Sequence, residues 1–215
     1  MPYRRSRAVL LALALLAPAA AHAVSIEKGV KAGVNLSGFR GTFADLADTK
    51  TKAGFVGGAF VAFGFAPDLA IQVEGLYCMK GVKLVSERTD DSGNVLGTFD
   101  TFEDLRYLEV PVLLRGTLLR TSPVQPMYYL GPTIGFSLGG KLRRDEPGPV
   151  SVDLEHLKTV DLGLALGVGA GFRLGGRKVL TEVRYTTGFA DIYDVAGALY
   201  DSINQEFSLT AGLAF

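Results

Sequence analysis

The sequence predicts an all-β protein: an eight-stranded antiparallel up-and-down transmembrane β-barrel. Three observations point to it. Apolar residues recur at every second position in eight separate segments of the 215-residue chain, which is the period of a strand with two unlike faces. The connections between these segments alternate long, short, long, short, long, short, long, as in a barrel with long outer loops and short turns at the opposite end. The bulky apolar residues share one face, while glycine, alanine and charged residues share the other.

A leader stands apart from this pattern. Arg4, Arg5 and Arg7 precede a continuous apolar run from Ala8 to Ala17, and Ala21-His22-Ala23 is a small-x-small cleavage site. These are the parts of a secretory signal peptide, expected over residues 1–23. The run is shorter than the roughly 18 residues of a spanning helix, and it breaks at Pro18. The expected cut leaves Val24 first, where a lipoprotein would carry cysteine, and a single barrel domain over residues 24–215. Removing three arginines from a chain with 22 basic and 22 acidic residues leaves a net charge of −3. Nucleic-acid binding, which needs a basic face, is not expected. Cys78 is the only cysteine, so an intramolecular disulfide, a dithiol redox site and a cysteine-rich zinc site are excluded.

The first strand sets Val30, Ala32, Val34 and Leu36 against Lys31, Gly33, Asn35 and Ser37. A polar loop over 38–52 leads to a second strand, 53–65, with Phe55, Ala59, Val61, Phe63 and Phe65 on one face. Ala66-Pro67-Asp68 is a tight turn. The third strand places Leu69, Ile71, Val73, Tyr77 and Met79 opposite Gln72, Glu74, Cys78 and Lys80, and Asp90 to Asn94 makes a hairpin tip. The fourth has Leu108, Val110, Val112 and Leu114 on one face and Tyr107, Glu109 and Arg115 on the other. Pro111 is a misfit there, because it removes a ladder donor.

After a turn at 120–125, the fifth strand opposes Tyr128, Leu130, Ile134, Phe136 and Leu138 to Tyr129, Gly131, Thr133, Gly135 and Ser137. A long charged loop is expected over 139–157. The sixth strand is the clearest: Leu162, Leu164, Leu166, Val168, Ala170, Phe172 and Leu174 alternate with Gly163, Ala165, Gly167, Gly169 and Gly171. Gly175-Gly176-Arg177 turns the chain into the seventh, with Val179, Thr181, Val183 and Tyr185 against Glu182, Arg184 and Thr186. A fourth loop over 189–204 precedes the last strand, where Phe207, Leu209, Ala211, Leu213 and Phe215 alternate with small or polar residues.

A soluble barrel of this size would turn its apolar face inward. The interior of eight strands is narrow and filled by side chains. Glycine, alanine and a few charges fit there, whereas the bulky set fits against lipid. A closed sheet also pairs every backbone group internally, as the hydrocarbon region demands.

A chain that ends on an aromatic in such a strand resembles the C-terminal strand of bacterial outer-membrane β-barrels. That resemblance implies an outer-membrane location, with Phe207, Leu209, Leu213 and Phe215 as the assembly signal read by the insertion machinery. The stretch Arg106-Tyr107-Leu108-Glu109-Val110-Pro111-Val112-Leu113-Leu114 resembles a motif of the PorT-like outer-membrane β-barrel family, where Tyr-Leu-Glu-hydrophobic-Pro recurs in a central strand. Gly33-Val34-Asn35-Leu36-Ser37 and Tyr129-Leu130-Gly131-Pro132 are similar to that family as well. The resemblance implies fold and location and brings no catalytic residues. The partners it implies are outer-membrane lipid, the insertion machinery, and a protein bound at the outer loops or the periplasmic turns.

Alternation points Glu74, Glu109 and Glu182 into the lumen together with Lys31, Lys80, Arg115, Arg173 and Arg184. Unpaired charges in so narrow a space would be costly, so a pairing network centred on Arg184 is expected. It reads as a structural plug, which makes the protein a barrel anchor presenting four loops; a narrow porin-like pore is the alternative. A second alternative is a lipid-A-modifying enzyme using His156 with Ser151 and an acid, Asp153 or Glu155. Sequence proximity says little about triad geometry, and no enzymatic activity is expected. Gly135 to Lys141 imitates a phosphate-binding loop, but Leu142 stands where Ser or Thr should follow. Gly167 to Gly171 imitates a dinucleotide fingerprint inside a strand, and Asp90 to Asn94 lacks the distal Glu of a calcium loop. No metal or cofactor is expected.

Overall fold

Each alternating segment forms a strand, and the strands close on themselves. The computed structural model describes residues 25–42, 49–90, 92, 94–144, 150–189, 191–193 and 202–215. The expected leader at 1–23 lies outside them. The strands are β1 (Ser25–Arg40), β2 (Thr49–Ala66), β3 (Leu69–Thr89), β4 (Val95–Thr117), β5 (Val124–Arg144), β6 (Val150–Asp153), β7 (Val160–Leu174), β8 (Arg177–Gly188) and β9 (Ile203–Ala214). All pairings are antiparallel, and β1 pairs with both β2 and β9. The ring therefore runs β1-β2-β3-β4-β5-β7-β8-β9 and closes with no free edge in the wall.

The short β6 lies outside that ring. It pairs with the far end of β5, from Lys141↔Asp153 to Arg144↔Val150. The stretch 139–157, expected to be loop throughout, is thus partly sheet: β5 runs on to Arg144 and Val150–Asp153 adds to its edge. Gly139, at φ 100°, sits where the β4–β5 register shifts between Leu105 and Tyr107. This is a bulge with glycine in a left-handed conformation, and it breaks the period-two pattern at that point.

The faces are inverted relative to a soluble protein. Phe55 is 47% exposed, Leu166 57% and Val168 63%, whereas Glu74 is 2% exposed. A soluble barrel with an apolar interior is contradicted by this arrangement, and an apolar belt around a polar lumen is the membrane pattern. Strands β3, β4 and β5 have 21, 23 and 21 residues, about twice the 9–11 that a tilted strand needs to cross. They extend beyond the apolar belt on the long-loop side, where Arg106 is the first exposed charge outside Leu108 on β4.

Pro111 faces the lumen and is fully buried. The β3–β4 register passes unshifted from Val73↔Val112 to Leu76↔Glu109, and the positions between, at Val110 and Pro111, go unpaired with β3. The missing donor costs local pairing without displacing the strand. At the opposite end, Gly175 and Gly176 have φ of 56° and 80°. Two successive positive φ values are what a two-residue type I′ hairpin requires.

Candidate functional site

The lumen is filled by layers of side chains, each supplied by inward positions of several strands. Glu27 lies nearest the short turns. Its carboxylate accepts from Arg115 Nη1 at 2.6 Å and from Lys178 Nζ at 2.8 Å. Gln72 links this layer to the next: its Oε1 accepts from Arg115 Nη1 at 3.0 Å, and its Nε2 donates to Glu74 Oε1 at 2.6 Å.

The central layer is a closed ring of four charges. Lys31 Nζ donates to Glu74 Oε1 at 2.9 Å and to Glu182 Oε2 at 2.8 Å. Arg184 grips Glu74 with two parallel bonds, Nη1 to Oε2 at 2.9 Å and Nη2 to Oε1 at 2.8 Å, while its Nε donates to Glu182 Oε1 at 2.5 Å. Two cations alternate with two carboxylates, and all four are at least nine-tenths buried. The bidentate fork is the strong geometry for such a pair. Space comes from β7, where a side chain at Gly167 would stand 3.3 Å from Glu182 Oε1. Beside the ring, Phe60, Leu113, Met127, Tyr129 and Leu180 pack together as an apolar cluster of the lumen.

Farther along the axis, Lys80 pairs with Glu109 and reaches Glu206 Oε2 at 3.6 Å. Glu206 also accepts from Asn35 Nδ2 at 2.9 Å, and the Cys78 thiol donates to Glu109 Oε2 at 3.5 Å. Cys78, Glu109 and Glu206 could hold a metal by spacing. The Lys80 ammonium, however, is already seated against both carboxylates and supplies the positive charge there. A cavity beside Lys80 measures about 10 Å³, roughly the room for one water. Above it, Asn204 Nδ2 donates to Asp161 Oδ2 at 2.9 Å and to the Tyr107 hydroxyl at 3.3 Å.

An apolar stopper closes the long-loop mouth. Phe39, Val56, Val82, Leu105 and Tyr107 from the wall surround Ile192, which is 2% exposed and comes from the connection after β8. Two long connections hold Ile192 in place: its N–H donates to Ser202 O at 2.9 Å, and its carbonyl accepts from Lys158 N at 2.8 Å. Tyr193 forms a bridge with Leu157, and its hydroxyl donates to Glu103 Oε2 at 2.7 Å. Burial, and then the Glu103 carboxylate, raises the Tyr193 hydroxyl above the usual tyrosine range.

Of the eight charges that alternation points inward, seven sit in these layers. Arg173 does not. It lies two residues before the Gly175 turn, is exposed, and has no ion pair or hydrogen bond among the described residues. Its parity is inward, but the strand has left the lumen by that point. Glu27, Gln72, Asn35, Glu206, Asp161 and Asn204 belong to the network and were missed as members; for Glu206 the signal was its place between Gln205 and Phe207 on the alternating last strand. Phe207, Leu209 and Phe215 are more than half exposed on the outer wall. Phe207 packs on Tyr185 with ring centroids 4.7 Å apart, and Leu213 lies on the same strand. Phe215 pairs its N–H with Lys28 O at 2.8 Å, which ties the chain end to β1.

The imitated motifs dissolve into strand. Gly135 to Lys141 lies within β5, and Gly167 to Gly171 within β7. The Asp90 carboxylate is spent on the backbone N–H groups of Ser92 and Asn94, at 2.9 and 2.8 Å. His156 is exposed and makes no hydrogen bond to Ser151, Asp153 or Glu155 among the described residues.

Residues 20–194 match the family model for the outer membrane protein beta-barrel domain. The chain belongs to that family. No curated protein matches the sequence. Among solved structures, it is similar to a major outer membrane protein from Thermus thermophilus, at 17% identity and a TM-score of 0.50, over 90% of this chain and 100% of that one. It is also similar to Neisserial surface protein A, at 14% identity and a TM-score of 0.45, over 90% of this chain and 98% of that one. For OprG from Pseudomonas aeruginosa the values are 13% and 0.44, over 89% and 97%. An outer-membrane β-barrel domain places this chain in the bacterial outer membrane, with its apolar belt in contact with lipid.

Proposed function

We propose that the protein is a closed barrel anchor with a structural or interaction role, presenting its four long connections outside the cell. The observation that carries this reading is the double closure of the lumen: the Lys31–Glu74–Arg184–Glu182 ring across its centre and the Ile192 stopper at its outer mouth. A filled lumen leaves the connections, long loops or periplasmic turns, as the parts able to meet a protein partner. In planar bilayers the protein should show no stepwise conductance. Single-channel steps from the purified protein would replace this reading with that of a narrow pore.

The orientation of the loops has its own test, since long connections face outward in bacterial barrels. Ser92→Cys, on the β3–β4 hairpin, should react with an impermeant thiol reagent on intact cells, and Thr121→Cys, on a short turn, should not. Native Cys78 is fully buried and need not be removed. Labelling of Thr121→Cys with silence at Ser92→Cys would invert the topology.

PorT-like membership is part of the same proposal. It is supported by Tyr107-Leu108-Glu109-Val110-Pro111 in β4, where Tyr107, Glu109 and Pro111 face the lumen and Leu108 and Val110 face away from it. The last strand supports a role for Phe207, Leu209, Leu213 and Phe215 as the signal for the insertion machinery, because they form a ridge on the lipid side of the closing seam with β1.

A further inference from the structure

Two adjoining cavities open at the short-turn mouth, of about 710 and 450 Å³. Four residues line both: Arg120, Gln125, Arg173 and Lys178. The smaller cavity has three cations in its wall, adds the hydroxyl residues Thr121 and Ser122, and contains no carboxylate residue. The larger one has Glu27 and Asp68 against Arg115, Arg120, Arg173 and Lys178.

The cations differ in how far they are committed. Lys178 holds Glu27 at 2.8 Å. Arg120 faces Asp68 at 3.7 Å with both side chains more than half exposed, a kind of pair that contributes little. Arg173 has no partner among the described residues. Arg115, at the back of the larger cavity, keeps a buried Nε without a hydrogen bond. The turn that carries Arg120, Thr121 and Ser122 is itself fixed. Thr117 N donates to Asp68 O, Leu118 N to Pro126 O and Ser122 N to Leu119 O, each at 2.8 Å. Leu119 takes a left-handed φ of 48° to make the bend, and the Gln125 side-chain amide donates to the Arg120 carbonyl.

We propose that this mouth is an oxyanion site that takes a phosphate group between Arg120, Arg173 and Lys178. Three separated cations and two hydroxyls suit a tetrahedral group with several charged oxygens better than a single carboxylate. A fixed turn keeps the ordering cost of binding low. Phe172, half-buried and on the face of β7 that carries Leu166 and Val168, lines the same cavity, so the site lies at the rim of the lipid-facing wall. The phosphate can therefore belong to the free anion or to a phospholipid headgroup of the adjoining leaflet.

The test uses the protein purified from outer membranes in a nonionic detergent. The probes are inorganic phosphate and a submicellar short-chain phosphatidylglycerol, each titrated by calorimetry. At least one should bind saturably at one site per barrel. Arg173→Gln should weaken that binding about tenfold, the loss expected of one charge-assisted hydrogen bond. Arg177→Gln makes the same charge change on the neighbouring turn, outside both cavities, and should leave binding unchanged. Both positions are exposed, and retained heat-modifiable gel mobility would show that each variant is folded. Saturation by phosphate assigns the free anion, and saturation by phosphatidylglycerol alone assigns the headgroup. The proposal is overturned if neither probe saturates, or if Arg177→Gln weakens binding as much as Arg173→Gln.

Discussion

Arg184→Ala should lower the unfolding free energy by about 3–5 kcal/mol, the cost of stranding a buried charge. Arg184 is the hub of the central ring, with two bonds to Glu74 and one to Glu182. Its loss leaves two buried carboxylates sharing Lys31, with Gln72 the remaining donor to Glu74. Arg177→Ala removes the same side chain from an exposed turn and should stay within about 0.5 kcal/mol of the parent. Adding Glu182→Ala to Arg184→Ala removes one of the two stranded carboxylates and leaves Lys31 facing Glu74 alone. The double variant should therefore regain part of the loss, a coupling that a mutant cycle in reversible urea titration would read directly. A double variant no more stable than Arg184→Ala, with Arg177→Ala equally harmful, would mean that the ring does not hold the lumen together.

The wall of the barrel was legible because its physics is local. A strand with lipid on one side and packed lumen on the other must alternate, and β7 does so over seven successive apolar positions from Leu162 to Leu174. Inward glycines follow from the same constraint: a Cβ at Gly58 would stand 1.9 Å from the Gly75 carbonyl of the next strand. Alternation fails where the backbone changes phase. Gly81, at φ 138°, and Gly139, at φ 100°, lie at register shifts beyond the apolar belt. Past Gly139 the outer end of β5 no longer follows the period and reads as loop, so its pairing with β6 was not visible.

The lumen was legible by strand face and not by depth. Parity places Lys31, Glu74, Glu182 and Arg173 on the same inner wall, but it carries no information on height along the axis. Height decides which charges meet, and it depends on strand stagger, which only the closed register fixes. That is why Lys31 finds Glu182, 151 positions away in the chain, while Arg173 ends at the mouth. The Ile192 stopper was hidden for a different reason. A single apolar residue in a polar connection has no period, and its burial depends on Leu154 and Leu157 from another long connection packing at the same mouth.

Leu166→Arg tests the outer face at its centre. Leu166 is 57% exposed, sits midway along β7, and pairs with Leu130 of β5 and Tyr185 of β8. Its neighbours along the strand face, Leu164 and Val168, are exposed and apolar as well. An arginine there has no partner among these residues and no short route to either aqueous side. The variant should lose about 2–4 kcal/mol in a reversible unfolding titration in lipid vesicles, the cost of arginine near a bilayer midplane. Val160→Arg supplies the comparison, on the same face of the same strand but at its loop end, where the guanidinium can reach headgroups. Its cost should be about 0–1 kcal/mol. Both variants keep the inward face of β7 intact, so a lumen effect cannot produce the difference. Equal losses for Leu166→Arg and Val160→Arg would mean that depth in lipid does not set the cost, and the apolar belt would then need another explanation, such as burial against a protein neighbour.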